Sequence, residues 1–536
     1  MAPSIIHLPD GQHFTVTPVF AGLFFKSHEL NTHASAFPIG WTVVLHTEEV
    51  EEEHDTEPQP RRGADGDASG DNDVDMEPER PKVPKRTSHI HSYTKPTLQN
   101  DSLFISSISN PSSSDFKPAT SPTRQIAMML WVTLYWYFHQ PEPSKLLPLT
   151  EQSRYTPENG RPRGDWRINI KRDGVLRGRN LIPKLERMGL IMSQDSAVGT
   201  AMGDNEGWGR MFVSRKVFWQ TPGRLFLFTL QPQIKSHPGS PIGSRPSSPV
   251  RSIESNSPHG SLHGAHLSQT QFAAADMPGA PMPTTLTSAP TFPIGPFFST
   301  SHLPTYYPPP PLQYTITNHV RHPIRPKPPR MGEVFYTRFV PSVNQYLAFR
   351  VASASNKPVP YLGPVGTKPP EHTHLSTLSD TSLLQMWLGN PRVQKFWGNY
   401  QPNFLTNALQ SRHSFPVIGL WDGVPFGYFE VYWVKEDLLG RFMGSDAADF
   451  DRGFHVLIGE EWARGRVQSW LSSLVHILLC MDNRTMSVCC EPRVDNARFI
   501  QHLQFAGFVK EREVAFAHKQ SWLGRLRRED WDGPAM

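Results

Sequence analysis

The sequence contains little cysteine and little net charge. Only 3 cysteines occur among 536 residues, too few for a disulfide framework, so we expect a protein of a reducing compartment. They also fall short of the set of soft ligands that a structural zinc site needs, and we predict no metal. Lys and Arg number 53 against 49 Asp and Glu, a formal net charge of +4. This bias is too small to indicate a nucleic-acid or membrane partner for the whole molecule.

Targeting and membrane-spanning segments are missing as well. The longest nearly apolar run, Ile126 to Phe138, is too short to cross a bilayer core of ~30 Å, so it predicts a buried helix. The first residues lack a basic stretch followed by an apolar run of secretory length, and the last three are not the peroxisomal tripeptide. We therefore expect a cytoplasmic protein.

Proline is the residue in excess, with 53 copies in the chain, roughly twice the usual share. Residues 48–122 are acidic and then rich in Ser and Pro, and residues 234–330 are rich in Pro, Ser, Gly and His. These compositions predict a disordered insertion and a partly polyproline linker. The remaining globular parts are an N-terminal region in two pieces, 1–47 and 123–233, and a C-terminal domain, 331–536.

The N-terminal region has the apolar content of a core but no pattern that indicates chemistry. Residues 41–45 are typical of a strand, and residues 125–139 of an apolar helix. Residues 181–191, preceded by basic side chains, look like part of a winged helix, which would suggest DNA binding. An amphipathic helix that ends at Gly189 before a strand explains the same pattern, and we expect no nucleic-acid partner.

The C-terminal domain shows a clearer succession of elements. Asp422-Gly423 separates two β-rich runs and supplies the positive φ angles of a tight hairpin turn. Apolar residues in 464–481 recur with the period of a long helix. The predicted elements are helices at 380–388 and 402–410, strands at 415–421, 425–434 and 453–459, the helix at 464–481, a strand at 485–490, a helix at 495–506 and a strand at 508–517. This order predicts an α/β fold with a mixed sheet.

The junction between strand 453–459 and the long helix is the most informative segment. Arg464, Gly465 and Arg466 stand at the entrance of the helix. A helix N-terminus has unpaired N–H groups and partial positive charge, so an Arg-Gly loop entering it is suited to hold a pyrophosphate. On its own, this loop is also compatible with an ordinary turn before a helix.

The order of elements around this loop resembles the GNAT acyltransferases. In that family the loop follows the pattern Q/R-x-x-G-x-G/A and binds the pyrophosphate of acyl-CoA through backbone amides. Arg464 matches the pattern, whereas Val467 and Ser469 stand where the two glycines would be. The resemblance implies a GNAT fold at the C-terminus with acetyl-CoA as co-substrate. It also implies that the N-terminal region is a degenerate second copy of that fold.

A set of short motifs narrows the resemblance to the siderophore branch of the family. These motifs are His374-Leu375-Ser376, Trp387 with Asn390-Pro391-Arg392-Val393 and Phe396-Trp397, Pro425 to Glu430 with Tyr432-Trp433, Asp451-Arg452-Gly453 with His455, and Glu491-Pro492-Arg493 with Asp495-Asn496. As a set they are similar to the hydroxylysine acetyltransferases and mycobactin acyltransferases, and the whole chain looks most like the fungal N5-hydroxyornithine acetyltransferases. The resemblance implies transfer of acetyl from acetyl-CoA to N5-hydroxyornithine, which forms a hydroxamate for siderophore synthesis.

The same resemblance implies the site residues. It places His455 at the catalytic base and Asp495 as the group that orients the imidazole or relays its proton, although a core histidine and a helix N-cap explain the same residues. The residues assigned to the cofactor are Arg464, Gly465, Arg466, Ser469, Asn496 and Arg498. Those assigned to the amino-acid substrate are Glu430, Tyr432, Trp433, Trp397 and Asn399.

Three points stay open at this stage. The acyl group could be larger than acetyl, as in relatives that transfer an anhydromevalonyl group. A second hypothesis is a non-catalytic docking partner of a siderophore peptide synthetase, which the departures at Val467 and Ser469 favour. The oligomeric state is also open, a homodimer included.

Overall fold

The computed structural model describes residues 2–20, 22–28, 40–52, 86–109, 122–178, 180–193, 211–227 and 311–536. Most of the predicted insertion and linker, at 53–85, 110–121 and 234–310, lies outside these residues. The described residues form a nine-stranded sheet in the N-terminal half, an eight-stranded sheet in the C-terminal half and a separate two-stranded hairpin. None of the helices in this described part is both long and apolar enough to span a bilayer.

The N-terminal half begins with a meander of antiparallel strands. Its strands are β1 (Ser4–His7), β2 (His13–Val19), β3 (Gly22–Ser27), β4 (Gly40–Glu52), β5 (Arg86–Ser92), β6 (Asp101–Ser109), β7 (Arg167–Ile170), β8 (Met192–Ser193) and β9 (Met211–Ser214). Its helices are α1 (Pro122–Tyr137), α2 (Leu181–Arg187) and α3 (Arg215–Gln220). The strand order is β1-β2-β3-β4-β6-β7-β9-β8, with β5 also paired to β4. Among the described strands of this half, only the β6–β7 pair is parallel.

The C-terminal half has a similar plan. Its strands are β10 (Tyr314–Thr317), β11 (Val320–Pro323), β12 (Val334–Val340), β13 (Gln345–Val351), β14 (Ser414–Trp421), β15 (Val424–Trp433), β16 (Arg452–Ile458), β17 (Ser487–Cys490), β18 (Val509–Ala515) and β19 (Gln520–Arg527). Its helices are α4 (Asp380–Leu388), α5 (Pro391–Trp397), α6 (Phe404–Gln410), α7 (Leu438–Met443), α8 (Val467–Met481) and α9 (Ala497–Phe505). The sheet order is β12-β13-β14-β15-β16-β17-β19-β18, and only β16–β17 is parallel.

The two sheets therefore repeat one topology. Each runs through a series of antiparallel strands, then one parallel pair, then two antiparallel neighbours. Helix α1 connects β6 to β7 as α8 connects β16 to β17, and α2 and α9 follow at corresponding places. This repetition agrees with the expected second copy of the fold in the N-terminal half.

The two halves share one hydrophobic core. Polar contacts also cross between them: Lys145 forms an ion pair with Asp532 at 2.6 Å, and the Tyr346 hydroxyl donates to the Leu8 carbonyl at 3.1 Å. Because apolar side chains from both halves are buried together, removing either half would expose part of the core of the other.

Local sequence signals produced several of these elements as predicted. Asp422 and Gly423 have φ angles of 47° and 84° in the turn between β14 and β15, as the hairpin requires. The apolar face of α2 is buried through Leu181, Ile182 and Leu185, which favours the amphipathic-helix interpretation over the winged helix. The long helix starts three residues later than predicted, at Val467, because a 3-10 turn over Trp462–Arg466 precedes it.

The predicted disorder was wrong for part of the insertion. Strands β5 and β6 lie within 48–122, and Leu103 and Ile105 of β6 are completely buried. The short apolar run Leu103-Phe104-Ile105 is flanked by serines and hardly raises the average hydrophobicity of the insertion, so composition alone missed this strand. The end of the predicted linker likewise contains the β10–β11 hairpin, followed by Arg325, which binds Glu436.

Candidate active site

His455 on β16 lies between two carboxylates. It is the direct cross-strand partner of Glu430 on β15, and Glu491 follows the end of the parallel neighbour β17. His455 Nε2 is 2.7 Å from Glu491 Oε1, and Nδ1 is 3.4 Å from Glu430 Oε2. The imidazole is 33% exposed, whereas Glu430 is 23% and Glu491 only 3% exposed. His455 and Glu430 are therefore partly accessible, whereas Glu491 is buried.

The two carboxylates keep His455 protonated. Burial alone would lower the pKa of His455, but the charge of Glu491 and the hydrogen bonds to both glutamates outweigh burial and raise it. Burial would raise the pKa of Glu491, but the positive charge of His455 outweighs burial and lowers it. The raised pKa favours the imidazolium form of His455 near neutral pH, whereas the sequence led us to expect a neutral histidine ready to act as base.

Tyrosine and lysine side chains hold the two glutamates in place. The Tyr432 hydroxyl donates to Glu491 Oε2 at 2.6 Å, and the Tyr428 hydroxyl donates to Glu430 Oε1 at 2.7 Å. Lys519 donates to the backbone carbonyl of Glu491 at 3.0 Å. Each carboxylate thus has a fixed orientation toward the imidazole, as an acid–base group requires.

A groove opens beside His455 where two parallel strands diverge. Strands β16 and β17 pair only at Arg452 and Gly453 of β16, and beyond them a cavity of about 170 Å³ lies against Val456 to Ile458. The Val456 carbonyl accepts a hydrogen bond from the Trp397 indole at 3.1 Å, so it points away from β15. In an extended strand, the N–H and C=O of one residue point to the same side. The Val456 N–H therefore faces the groove and is available to a ligand.

Three arginines from different elements line this groove. Arg392 belongs to α5, Arg464 precedes α8, and Arg498 belongs to α9. Guanidinium groups bind phosphates through charge-assisted hydrogen bonds, and the start of α8 adds partial positive charge. The groove thus suits a polyphosphate ligand whose uncharged arm extends along β16.

The structure brings together half of the predicted cofactor residues. Arg464, Asn496 and Arg498 line the groove. Arg466 turns to the other side, where it stacks on Trp421 and Trp462. A Cβ at Gly465 would contact nothing within 4 Å, so that glycine is not required by a close approach.

Ser469 lies in the first turn of α8, and its carbonyl accepts a hydrogen bond from Ser473 at 2.7 Å. Val467, which replaces a family glycine, lines the groove.

The prediction that Asp495 orients His455 was wrong for this structure. Arg493, two residues earlier, binds both carboxylate oxygens of Asp495 at 2.6 Å, and the two ring nitrogens of His455 are bound by glutamates. The positioning residue is Glu491, which the sequence analysis missed. Its place directly after β17, the strand next to His455, was the signal that could have identified it.

The predicted substrate residues separate into two faces of β15. Side chains alternate along a strand, so Glu430 and Tyr432 share the face of His455, and Trp433 points to the other. The Trp433 ring packs under Arg452, 3.2 Å from the ring centroid, so its prediction as a substrate wall was wrong. The Trp397 ring stands edge-on to His455, with centroids 6.5 Å apart, and Asn399 is exposed beyond α5.

The corresponding positions of the N-terminal sheet, among the described residues, do not carry this cluster. When the two sheets are aligned on their parallel strand pairs, Ile105 on β6 occupies the position that His455 has on β16. Its cross-strand partner is Val43, where β15 has Glu430. Apolar residues have replaced the titratable pair, so of these two corresponding positions only the C-terminal one can serve acid–base chemistry. No group of three or more His, Cys, Asp or Glu suited to a metal occurs in the described part of the chain.

The fold and the site define an acyl-CoA-dependent acyltransferase of the GNAT class. Residues 376–516 match the acetyltransferase (GNAT) domain family. The chain is 54% identical to the N5-hydroxyornithine acetylase of Beauveria bassiana over 537 residues, covering 97% of this chain and 100% of that protein. The chain therefore belongs to the same family as that acetylase.

More distant relatives match only the C-terminal part of the chain. The N(6)-hydroxylysine O-acetyltransferase of Escherichia coli is 37% identical over 203 residues, 36% of this chain and 56% of that enzyme. An N(5)-hydroxyornithine:cis-anhydromevalonyl coenzyme A transacylase of Beauveria bassiana is 34% identical over 242 residues, 41% of this chain and 48% of that enzyme.

Proposed function

We propose that the protein is an acetyl-CoA:N5-hydroxy-L-ornithine N-acetyltransferase that forms the hydroxamate group of a siderophore. The observation that carries the proposal is the pair of glutamates around His455 at the end of an arginine-lined groove. The full-length similarity to a hydroxyornithine acetylase supports the same acceptor and donor.

Acetyl-CoA fits the groove by charge and by backbone chemistry. Its phosphates pair with Arg392, Arg464 and Arg498, and its pantetheine arm follows the unpaired edge of β16. The Val456 N–H then donates to the thioester oxygen, where negative charge develops during acyl transfer. No metal is needed for these contacts.

The acceptor nitrogen attacks as a neutral group. A hydroxylamine is mostly uncharged near neutral pH, so no cation has to be deprotonated first. Attack on the thioester carbon makes this nitrogen cationic and acidic, and ionised Glu430, the more exposed carboxylate, takes its proton. The carbon–sulfur bond then breaks, and protonated His455 gives its proton to the departing thiolate. Proton transfer from Glu430 to His455 through Nδ1 restores the starting state.

The alternatives differ in what they require of the site. The intact His455 cluster and the arginine groove favour an enzyme over a non-catalytic docking partner of a siderophore peptide synthetase. Contact with such a synthetase, a homodimeric state and a cytoplasmic location remain predictions. A larger donor such as anhydromevalonyl-CoA remains the closest enzymatic alternative.

A panel of substrates tests the proposal. Purified full-length protein is incubated with acetyl-CoA or a larger acyl-CoA and with N5-hydroxyornithine, ornithine or hydroxylysine, and free thiol is followed over time. We expect rapid turnover only with acetyl-CoA and hydroxyornithine. Preference for the larger donor would favour the transacylase alternative, and no turnover by folded protein would favour the docking partner.

Arg498→Gln tests the groove as the acetyl-CoA site. A lost contact between a partly exposed arginine and a phosphate is worth about 1 kcal/mol, so the KM for acetyl-CoA is expected to rise about fivefold with kcat nearly unchanged. The control is Arg512→Gln, since Arg512 lies on edge strand β18 and binds the carbonyls of Phe442 and Met443. Equal KM values for both variants would place the phosphates elsewhere.

A further inference from the structure

A cleft between the two halves of the chain has no part in the proposed reaction. It has a volume of about 220 Å³ and is lined mainly by aromatic and aliphatic side chains. Trp131 of α1, Trp219 of α3, and Tyr336 and Arg338 of β12 contribute, together with His476 of α8. Such a volume can hold a molecule somewhat larger than benzene, which occupies a cavity of about 150 Å³.

Arg338 is the charged group that makes this cleft unusual. Its side chain is buried, with 1% exposure. One guanidinium nitrogen, Nη2, donates to the Ala535 carbonyl, but Nε and Nη1 have no hydrogen-bond partner among the described residues. A buried guanidinium without a counter-ion is unfavourable because its lost hydration is not replaced. An anion in the cleft would supply the missing acceptors.

The other polar groups of the cleft point to the same kind of ligand. The indole N–H groups of Trp131 and Trp219 also lack partners within the described part of the chain. Like the guanidinium of Arg338, they are hydrogen-bond donors, so a ligand that accepts hydrogen bonds would suit them. His476 Nδ1 and the Tyr336 hydroxyl form a hydrogen bond of 2.9 Å. Burial lowers the pKa of His476 and keeps its imidazole neutral. Asp10, the acidic residue of the lining, accepts hydrogen bonds from Gln12.

We propose that this cleft binds a small monocarboxylate with an aromatic or short aliphatic body. The carboxylate would accept hydrogen bonds from Arg338, and the apolar body would pack against Trp131, Trp219 and neighbouring side chains. Arg224 also lines the cleft, but most of the lining is apolar, which favours a carboxylate with an apolar body over a phosphate dianion. The site is separate from the acetyl-CoA groove, although helix α8 borders both, through Val467 at its start and His476 further along.

Binding of simple probes to the full-length protein tests this site. Benzoate and hexanoate are titrated by calorimetry, with benzyl alcohol and hexanol as uncharged counterparts and saturating acetyl-CoA present to occupy the groove. We expect saturable binding of both carboxylates, at least about tenfold tighter than the alcohols. Arg338→Met is expected to remove this preference, whereas Arg512→Met, a change on the exposed strand β18, is expected to keep it.

A second variant leaves the guanidinium in place. Leu227 lines the cleft and is partly exposed, so Leu227→Trp narrows the space without touching Arg338 and serves if Arg338→Met does not fold. We expect it to weaken benzoate binding at least about tenfold. No saturable binding of either carboxylate, equal binding of the alcohols, or unchanged binding by both variants would overturn the proposal.

Discussion

His455→Gln is expected to lower kcat for acetyl transfer by about 10²–10⁴-fold, the usual contribution of a positioned acid–base group. Glutamine retains hydrogen-bonding capacity toward Glu430 and Glu491 but cannot supply a proton to the thiolate. The KM for acetyl-CoA should change little, since the phosphates bind on the arginines and not on the imidazole. Steady-state kinetics with the free-thiol assay measures both quantities.

The matched control for this variant is His413→Gln. His413 is also partly buried and also contacts a carboxylate, with Nε2 at 3.2 Å from Asp437, but its side-chain hydrogen bonds go to Ser411 and Asp437 and not to Glu430 or Glu491. Its replacement should leave kcat within about twofold. A folded His455→Gln protein with turnover equal to that of the control would exclude His455 from the chemistry.

Glu491→Gln is expected to move the alkaline limb of the pH–rate profile to lower pH. In the wild type, the active imidazolium persists through pH ~6.5, where a free histidine loses its proton, and kcat falls only as pH rises through the raised pKa of His455. Removing the charge of Glu491, the strongest influence that raises this pKa, should shift the fall by at least about one pH unit. A plot of log kcat against pH for the wild type and for the Glu491→Gln variant measures this shift.

The sign of this shift separates two mechanisms. If a neutral His455 were the base, kcat would rise with pH through the histidine pKa, and Glu491→Gln would extend activity to more acidic pH. Glu513→Gln is the control, since Glu513 lies on β18 and binds Lys510 and Gln520 on the surface. An unchanged profile in Glu491→Gln would show that Glu491 does not set the protonation of His455.

The same pair makes stability depend on pH. The raised pKa of His455 gives a contribution that is complete below ~6.5 and is lost as pH rises through the folded value. The lowered pKa of Glu491 gives a contribution that is present above ~4.3 and is lost as pH falls through the folded value. We therefore expect the Tm of the wild type to fall more than the Tm of the Glu491→Gln variant at both acidic and alkaline pH. Thermal unfolding measured across pH tests this.

The family resemblance pointed to His455, and local sequence patterns predicted the elements around it. The Asp422-Gly423 turn, the apolar period of α8 and the Arg-Gly loop each depend on neighbouring residues. The partners of His455 depend on strand pairing instead. Glu491 is 36 positions away in sequence, and only the parallel register of β16 with β17 brings it to the imidazole.

The errors in the predicted site have the same origin. The resemblance implied that Asp495 orients His455, but Arg493 binds both oxygens of its carboxylate. Tyr432 and Trp433 were both assigned to the substrate, but adjacent residues of a strand face opposite sides. The repeated topology of the N-terminal half could not be read from motifs, since Ile105 and Val43 have replaced the pair that marks the C-terminal copy.

The central claim is that the acetyl group is transferred to the nitrogen of hydroxyornithine. Because only N-acetylation yields a hydroxamate, the most direct test measures ferric-hydroxamate colour and free thiol in the same reaction with acetyl-CoA and N5-hydroxyornithine. The account predicts equal amounts of hydroxamate and thiol throughout the reaction. Thiol release without hydroxamate would contradict it and would indicate transfer to oxygen or to water.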